Sequence, residues 1–464
     1  MANRFAEFIN DRTGAGKALD YFLNRKIPPG VKWPYTLGSA TTTAFVVLLI
    51  TGMLLTTHYQ PSPETAYGSV KFIYDHVIFG SFIHNLHFWA ASAMVVLVAL
   101  HMTRVFYFGA YKYPREMTWI TGSILLVVTL AFAFSGYLLP WDQKAYRTTV
   151  LLSRMAGTAP FVGGWATTLV QDGQNIGAFT VTQLFAFHVI LLPVLTVAAI
   201  GVHMFLVIRH GISNPPRRAD EPYAEAADPT SAYREFYDAK KAAGKPFFHN
   251  VLDDAIVSLG LVLVLCALAI YVPHPLEQPA NPIGVGFAPR PEWYFLWLFQ
   301  LLRLFPGKLE PVGVLGVPLV LVLLLMGLPF LDRGPRRHPM SRPVTVGVWT
   351  LGGIAVLWLT VLGAGEKPPS ASGGALVKSG LSAQALAGEK VFQTYSCTTC
   401  HKINGVGGDM GPDLTHVGSR HNLAFFTKLV RNPQSEEPGS PMPPFTQIPE
   451  AQYKNLVQFL SELK

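Results

Sequence analysis

Cys397-Thr398-Thr399-Cys400-His401 sets two thiols three positions apart, with an imidazole directly behind them. Thiols at that spacing can bond the two vinyl groups of one porphyrin, and the next histidine then lies beneath the iron as proximal ligand. A disulfide or a redox-active dithiol would not need His401, and no strand–helix pattern of the thioredoxin kind precedes the motif. The second axial ligand must reach the opposite haem face, so the chain has to wrap around first. Met442, in Ser440-Pro441-Met442-Pro443-Pro444, lies late enough, in a proline-stiffened loop before a closing helix over 450–463. Met410 competes with it but stands only nine residues past His401. Ligation by His and Met raises a haem's potential, which suits a terminal electron acceptor within the chain.

Four more histidines fall inside apolar stretches, where an ionisable side chain is costly without a partner. His87 and His101 are 14 apart on one stretch, and His188 and His203 are 15 apart on another. On an α-helix, 14 steps stop about 40° short of whole turns and 15 go about 60° beyond, so each pair lies roughly along one face. The two members of a pair are then about 21–23 Å apart along the axis. If both helices run the same way, His87 faces His188 and His101 faces His203, as two bis-histidine b-type haems stacked across a membrane require. Gly38 and Gly52 on one neighbouring stretch, and Gly122 and Gly136 on another, repeat the 14-residue spacing. Helical glycine costs about 1 kcal/mol against alanine, but it lets a flat haem edge approach the backbone. Close helix packing by small residues would not explain why the spacing matches the histidines. His84 stands 17 from His101, about 100° off the face, and is set aside as a ligand.

The elements that must position these groups are legible too. Half of the 464 residues are apolar and only 14% are charged, against roughly 25% in soluble globular chains. Seven apolar segments centred on 36–57, 85–108, 117–138, 182–208, 251–272, 312–331 and 344–363 are long enough to span a bilayer. Pro193 and Pro318 sit inside spans, where neighbouring helices can satisfy the freed backbone groups. Lys and Arg concentrate before span one and in the loops after spans two, four and six, which marks that side as cytoplasmic. Residues 1–35 carry scattered basic residues and no apolar run that reads as a cleavable signal. Seven spans then carry the C-terminus to the extracytoplasmic, periplasmic side of a bacterial cytoplasmic membrane. The net charge of +8 follows largely from this topology, and no basic patch suggests nucleic acid. The expected fold is an all-α membrane protein: a four-helix di-haem bundle plus three further transmembrane helices, with a small α-helical cytochrome c domain. The segments are 1–35, the four-helix core 36–210, a charged connector 211–250, the three-helix part 251–365, a Pro/Ser/Gly/Ala-rich tether 366–380 and the soluble domain 381–464.

Residues 20–365 resemble cytochrome b of the quinol-oxidising cytochrome bc complexes. The likeness is carried by Leu100-His101-Met102-Thr103-Arg104-Val105-Phe106, Pro114-Arg115-Glu116-Met117-Thr118-Trp119, Gly136-Tyr137-Leu138-Leu139-Pro140-Trp141-Asp142-Gln143 and, most specifically, Pro291-Glu292-Trp293-Tyr294. The 15-residue histidine spacing, the PWDQ segment and Gly211-Ile212-Ser213 look closer to the photosynthetic plastoquinol–plastocyanin branch, where the four-helix and three-helix parts are separate chains. The C-terminal domain resembles a class I cytochrome c, in which a proline carbonyl, here that of Pro412, bonds the ligand histidine. The resemblance implies a Q-cycle enzyme, a quinol–cytochrome c reductase working as a subunit of a complex. Its cofactors would be two non-covalent b haems and one covalent c haem, with quinol and quinone as substrates. Quinol would be oxidised on the outer side between the Pro291–Tyr294 segment and the loop after span three. One electron would go to a Rieske iron–sulfur protein, and the other through the outer haem (His87, His188) to the inner one (His101, His203). Glu292 is a carboxylate at membrane level that suits proton acceptance, and Tyr137 could hydrogen-bond in that pocket. Arg104 and Arg209 are placed to pair with haem propionates. His210 and Asp220 are placed to supply protons at quinone reduction. The acceptor of the c haem would be a c-type cytochrome, a copper protein or a terminal oxidase, and the family implies a homodimer.

Two positions depart from the pattern. Thr36 stands where the photosynthetic branch attaches an extra haem through cysteine, so no fourth haem is expected by that route. His84 stands where the family commonly has an arginine three residues before the first ligand. Cys266, inside span five, reads as core packing. A competing reading is a di-haem membrane anchor that serves a dehydrogenase as an electron wire, which would need the haems but not the Pro291–Tyr294 segment or the three-helix part. A transporter with a cytochrome tail would show inverted repeats or broken midplane helices and has no use for paired histidines.

Overall fold

Why apolar runs of this length become helices follows from the bilayer, which leaves a spanning backbone no partner but itself. The computed structural model has seven such helices among its described residues: Trp33–Thr56, Gly80–Tyr107, Glu116–Leu138, Phe179–His210, Phe248–Tyr271, Val312–Leu331 and Pro343–Gly365. They match the seven expected segments, and are referred to below as spans one to seven. The structure describes residues 2–171, 176–281, 290–305, 309–365, 376–377, 380–395, 397–408, 411–437, 440, 442, 444–446 and 448–464. The tether lies almost entirely outside them.

Spans one and two pack along each other, span five closes on both, and span three packs on spans four and six. Polar side chains tie the seams where the spans are otherwise apolar. Ser39 donates to Asp254 (2.7 Å), Thr43 pairs with Ser258 (2.9 Å), and the Trp119 indole donates to the Leu325 carbonyl (2.6 Å). Large hydrophobics such as Val194, Leu263, Leu323 and Leu357 face outward, as they should where lipid is the solvent.

Two spans carry a π-helical turn, at Phe187–Leu191 and Val312–Gly316. Each stands two residues before a proline, Pro193 or Pro318. A proline ring clashes with the carbonyl four residues earlier and offers it no N–H, and widening the turn relieves both problems. The Leu192 amide accordingly reaches back five residues to the Phe187 carbonyl. Span four ends at Gly211, in the left-handed region at φ 73°.

Short helices Gln143–Gly157 and Gly163–Gln171 follow span three, the first capped by the Asp142 carboxylate on the Ala145 amide (2.8 Å). At the opposite end, Lys26–Ile27 pairs antiparallel with Lys245–Pro246, binding the N-terminal segment to the connector. The four-helix and three-helix parts meet there through buried ions. Asp332 takes Lys112 (2.7 Å), Arg342 (3.0 Å) and the Tyr111 hydroxyl, and Glu221 accepts from the His338 amide (2.6 Å) and the Ser341 hydroxyl (2.9 Å). The C-terminal domain has its own core of Phe392, Phe426, Leu456 and Phe459, built mainly by packing Ala383–Thr394 on Glu450–Glu462. A two-stranded hairpin turns at Asn404-Gly405, both at positive φ, between Lys402–Ile403 and Val406–Gly407.

Candidate functional site

His87 and His188 face each other from spans two and four, ring centroids 6.3 Å apart. His101 and His203 lie close enough to interact electrostatically further along the same helices. The unequal spacings of 14 and 15 are reconciled by the π-turn. It contains His188 and takes up one residue more than an α turn, so 15 residues wind about as far as 14 do elsewhere.

Each of the four glycines stands against one of these rings. A side chain at Gly52 would meet His87 Cε1 at 3.3 Å, at Gly38 His101 Cε1 at 3.3 Å, at Gly122 His203 Cε1 at 3.3 Å and at Gly136 His188 Cε1 at 2.7 Å. The glycines therefore make room for the imidazoles themselves, a tighter role than the approach of a haem edge.

The Nδ1 atoms carry a second pattern, which the sequence reading missed. Thr51 Oγ1 lies 2.8 Å from His87 Nδ1, Thr121 Oγ1 2.9 Å from His203 Nδ1 and Ser135 Oγ 3.0 Å from His188 Nδ1. Each hydroxyl gives its own proton to a helix carbonyl, of Val47 (2.7 Å), Thr118 (3.0 Å) and Ala131 (2.8 Å) respectively. A hydroxyl whose proton is so committed can only accept from the ring. The network therefore assigns the proton to Nδ1 and leaves the Nε2 lone pair free in all three. That is the tautomer an iron ligand needs, and the donor set fits a haem between each pair.

The residues read as propionate partners differ in placement. Arg104 donates from Nε to the Pro34 carbonyl (3.2 Å) and lies over the Tyr35 ring, whereas Arg209 is exposed at the end of span four. His210, beside it, keeps a buried Nδ1 with no partner among the described residues. Asp220 falls in a short helical turn, and its side chain lies outside the described residues.

Beside His87 and His188 a cavity of about 270 Å³ extends to Glu292, its wall including Tyr137, Lys144, His274 and Tyr294. Glu292 is 8% exposed and takes Lys144 at 2.9 Å. Lys144 reaches a second carboxylate, Glu277, at 3.5 Å. Burial works against its charge, but the two glutamates outweigh it and hold the ammonium above its usual range. The Tyr137 hydroxyl is buried without a hydrogen-bond partner among the described residues. Trp293 Nε1 lies 3.4 Å from Ser92 and the Tyr294 hydroxyl 3.4 Å from the Ala133 carbonyl, which seat Pro291–Tyr294 on spans two and three. An apolar cavity with one ion pair and one unmatched phenol is built to take a mostly apolar molecule with a polar head. Lys144 went unread because a lysine after Asp142-Gln143 looks like a solvated loop charge.

In the C-terminal domain, His401 Nδ1 lies 2.9 Å from the Pro412 carbonyl, which assigns the ring proton to Nδ1. A side chain at Gly411 would meet that ring at 2.5 Å. Cys397 and Cys400 form no disulfide, and burial and the neighbouring Cys400 push the Cys397 thiol up to about 12. A redox-active dithiol needs the opposite shift. Met442 is half-buried against the domain core, while Met410 lies outside the described residues.

Residues 22–211 match the family described as "Cytochrome b/b6/petB", residues 279–377 "Cytochrome b(C-terminal)/b6/petD" and residues 383–460 "Cytochrome C oxidase, cbb3-type, subunit III". A cytochrome bc complex cytochrome b subunit of Chlorobaculum thiosulfatiphilum is 31% identical over 344 residues, 73% of this chain and 74% of the relative. A cytochrome b6 of Heliobacterium mobile is 39% identical over 203 residues, 44% of this chain and 95% of the relative. Among solved structures, a chain of a hyperthermophilic respiratory Complex III superposes with a TM-score of 0.67 at 28% identity, covering 78% of this chain and 92% of its own.

Proposed function

Because the chain belongs to the cytochrome b family of the bc-type complexes, fused to a cytochrome c domain, we propose that it is the quinol-oxidising subunit of a quinol:cytochrome c oxidoreductase. Its assigned ligands are His87 and His188 for the outer b haem and His101 and His203 for the inner one. Cys397 and Cys400 attach the c haem, with His401 and Met442 as its axial pair. When bound, these groups carry single electrons between an outer quinol site and an inner quinone site, and onward to an acceptor. The observation that carries the reading is the single cavity that joins His87 and His188 to Glu292 and Lys144.

In that cavity Tyr137 offers its unmatched hydroxyl to a quinol oxygen, and Glu292 accepts a quinol proton. Protonation removes the charge that Lys144 pairs with at 2.9 Å, and Glu277, 3.5 Å from the same ammonium, is left as its counter-ion. The Glu292 side chain is then free to turn and release its proton on the outer side. At the inner end, His210 and Asp220 supply protons to reduced quinone, and Arg104 and Arg209 serve the propionates. A Rieske iron–sulfur protein takes the first electron, and a homodimer sits in a bacterial cytoplasmic membrane with its cytochrome c domain outside.

The test compares Glu292→Gln with wild type in quinol:cytochrome c reductase assays of the purified complex, with haem spectra recorded on both. A fall of about 10²-fold or more with b and c haems intact supports quinol oxidation at this site. Unchanged activity takes Glu292 out of quinol oxidation, and a native complex that never oxidises quinol makes the chain a di-haem electron wire instead.

A further inference from the structure

Three of the four paired imidazoles have a hydroxyl at Nδ1, and the fourth has none. Thr51, Ser135 and Thr121 serve His87, His188 and His203, whereas the buried Nδ1 of His101 meets no partner among the described residues. The carbonyls of Leu48, Phe132 and Thr118 also lie by those three rings, and the missing hydroxyl comes down to one residue. Each hydroxyl directly precedes the glycine that faces its histidine, as Thr51-Gly52, Thr121-Gly122 and Ser135-Gly136, but Gly38 is preceded by Leu37. The nearby hydroxyls are committed elsewhere, that of Thr36 to the Trp33 carbonyl (2.7 Å) and that of Ser39 to the Thr36 carbonyl and Asp254 (both 2.7 Å).

We propose that Leu37, by withholding an acceptor from His101 Nδ1, makes the His101/His203 site bind an electron more tightly than the His87/His188 site. The proposal rests on the reading of these four histidines as haem ligands. An acceptor at Nδ1–H makes an imidazole a stronger donor through Nε2, which stabilises oxidised iron and lowers its potential. The His87/His188 site has two strengthened donors and the His101/His203 site has one. A single electron that quinol delivers to the first site therefore moves downhill to the second, with no bond broken and no proton moved between them. Thr51, Thr121 and Ser135 are positioning residues, acting on the iron only through a histidine. Arg104, whose charge lies near His101, pulls the same way, so the test must leave charge untouched.

The experiment is a redox titration of both b-haem signals in the purified holocomplex, by optical and paramagnetic resonance spectra. Leu37→Thr restores the missing dipeptide and lowers the midpoint of the His101/His203 site. Thr51→Val keeps the shape, removes one acceptor and raises the midpoint of the His87/His188 site. Each change corresponds to about threefold in the electron equilibrium between the sites, at unchanged haem content. Should Leu37→Thr not assemble, Thr51→Val alone decides. Midpoints that stay put, or move the other way, in complexes holding both b haems overturn the proposal. The underlying ligand reading fails separately if His101→Ala keeps both b haems.

Discussion

Tyr137 and Glu292 reach one cavity from distant parts of the chain, and only Glu292 arrives with a partner. Tyr137→Phe removes a single unmatched hydroxyl and leaves the ring. We expect kcat/KM for quinol to fall about five- to tenfold with unaltered haem spectra, and an unchanged value would remove Tyr137 from the site. Asp142, at the rim, makes a pH prediction. Burial pushes its carboxyl up to about 6 from an ordinary 3.8, against the pull of the Ala145 amide. The folded state thus binds a proton that the unfolded chain has released, and this residue's contribution to stability falls as pH rises from about 4 to about 6. Relative to Asp142→Asn, wild type should lose melting temperature between pH 4 and pH 6, and parallel curves would contradict the shift. The histidines and glycines were legible because their spacings repeat. The hydroxyls that fix the tautomer were not, since threonine is at home in any span by bonding back to a carbonyl. Thr41, Thr42 and Thr43 do so without serving a ring nitrogen.

Among the elements, span four solves a counting problem by its shape. Sequence alone gives its histidines one residue too many for an α-helix, and the prolines announce only that something must give. Neither signal says that a π-turn at Phe187–Leu191 absorbs the excess. Deleting Ile190, which faces outward at 61% exposure, should close the π-turn to an α-turn kinked at Pro193, with the 14-residue spacing of span two, and retain both b haems. Inserting one alanine there should swing His188 and His203 about 100° apart and lose a haem. Pyridine haemochrome content separates the two results, and equal content in both would show that the turn does not set the register. The ionic seam near the connector is likewise a matter of elements. Asp332→Ala leaves Lys112 and Arg342, 5% and 6% exposed, without their carboxylate, at a cost of about 3–5 kcal/mol. A melting curve in detergent reads that loss directly. Burial opposes the charge of Asp332, but Lys112, Tyr111 and Arg342 hold its pKa below the ordinary value. Its contribution is therefore present above the ordinary carboxylate range and is lost only as pH falls through the lowered value.

For the whole molecule, seven spans and an asymmetric spread of basic residues make a claim about sides. In right-side-out membrane vesicles, an impermeant amine reagent should modify Lys454 of the C-terminal domain and spare Lys240 and Lys241 of the connector. The reverse pattern would invert the protein. Fold class was the easiest property to read, because helix length and apolarity are set by bilayer thickness. How the two membrane parts adhere was invisible, since Lys112 lies 220 residues before Asp332 and Lys112, Asp332 and Arg342 each look like an ordinary loop charge. That seam bears on gene structure. The cytochrome b6 of Heliobacterium mobile is covered over 95% of its length by 203 residues of this chain, 44% of it, so a polypeptide of that smaller share stands there by itself. Here the seam joins the two parts by buried charge, independently of the peptide that runs between them. A stop and a fresh start codon placed within the connector should thus yield two products that co-purify as one assembly, so fusion and fission of such genes can be nearly neutral for the folded protein.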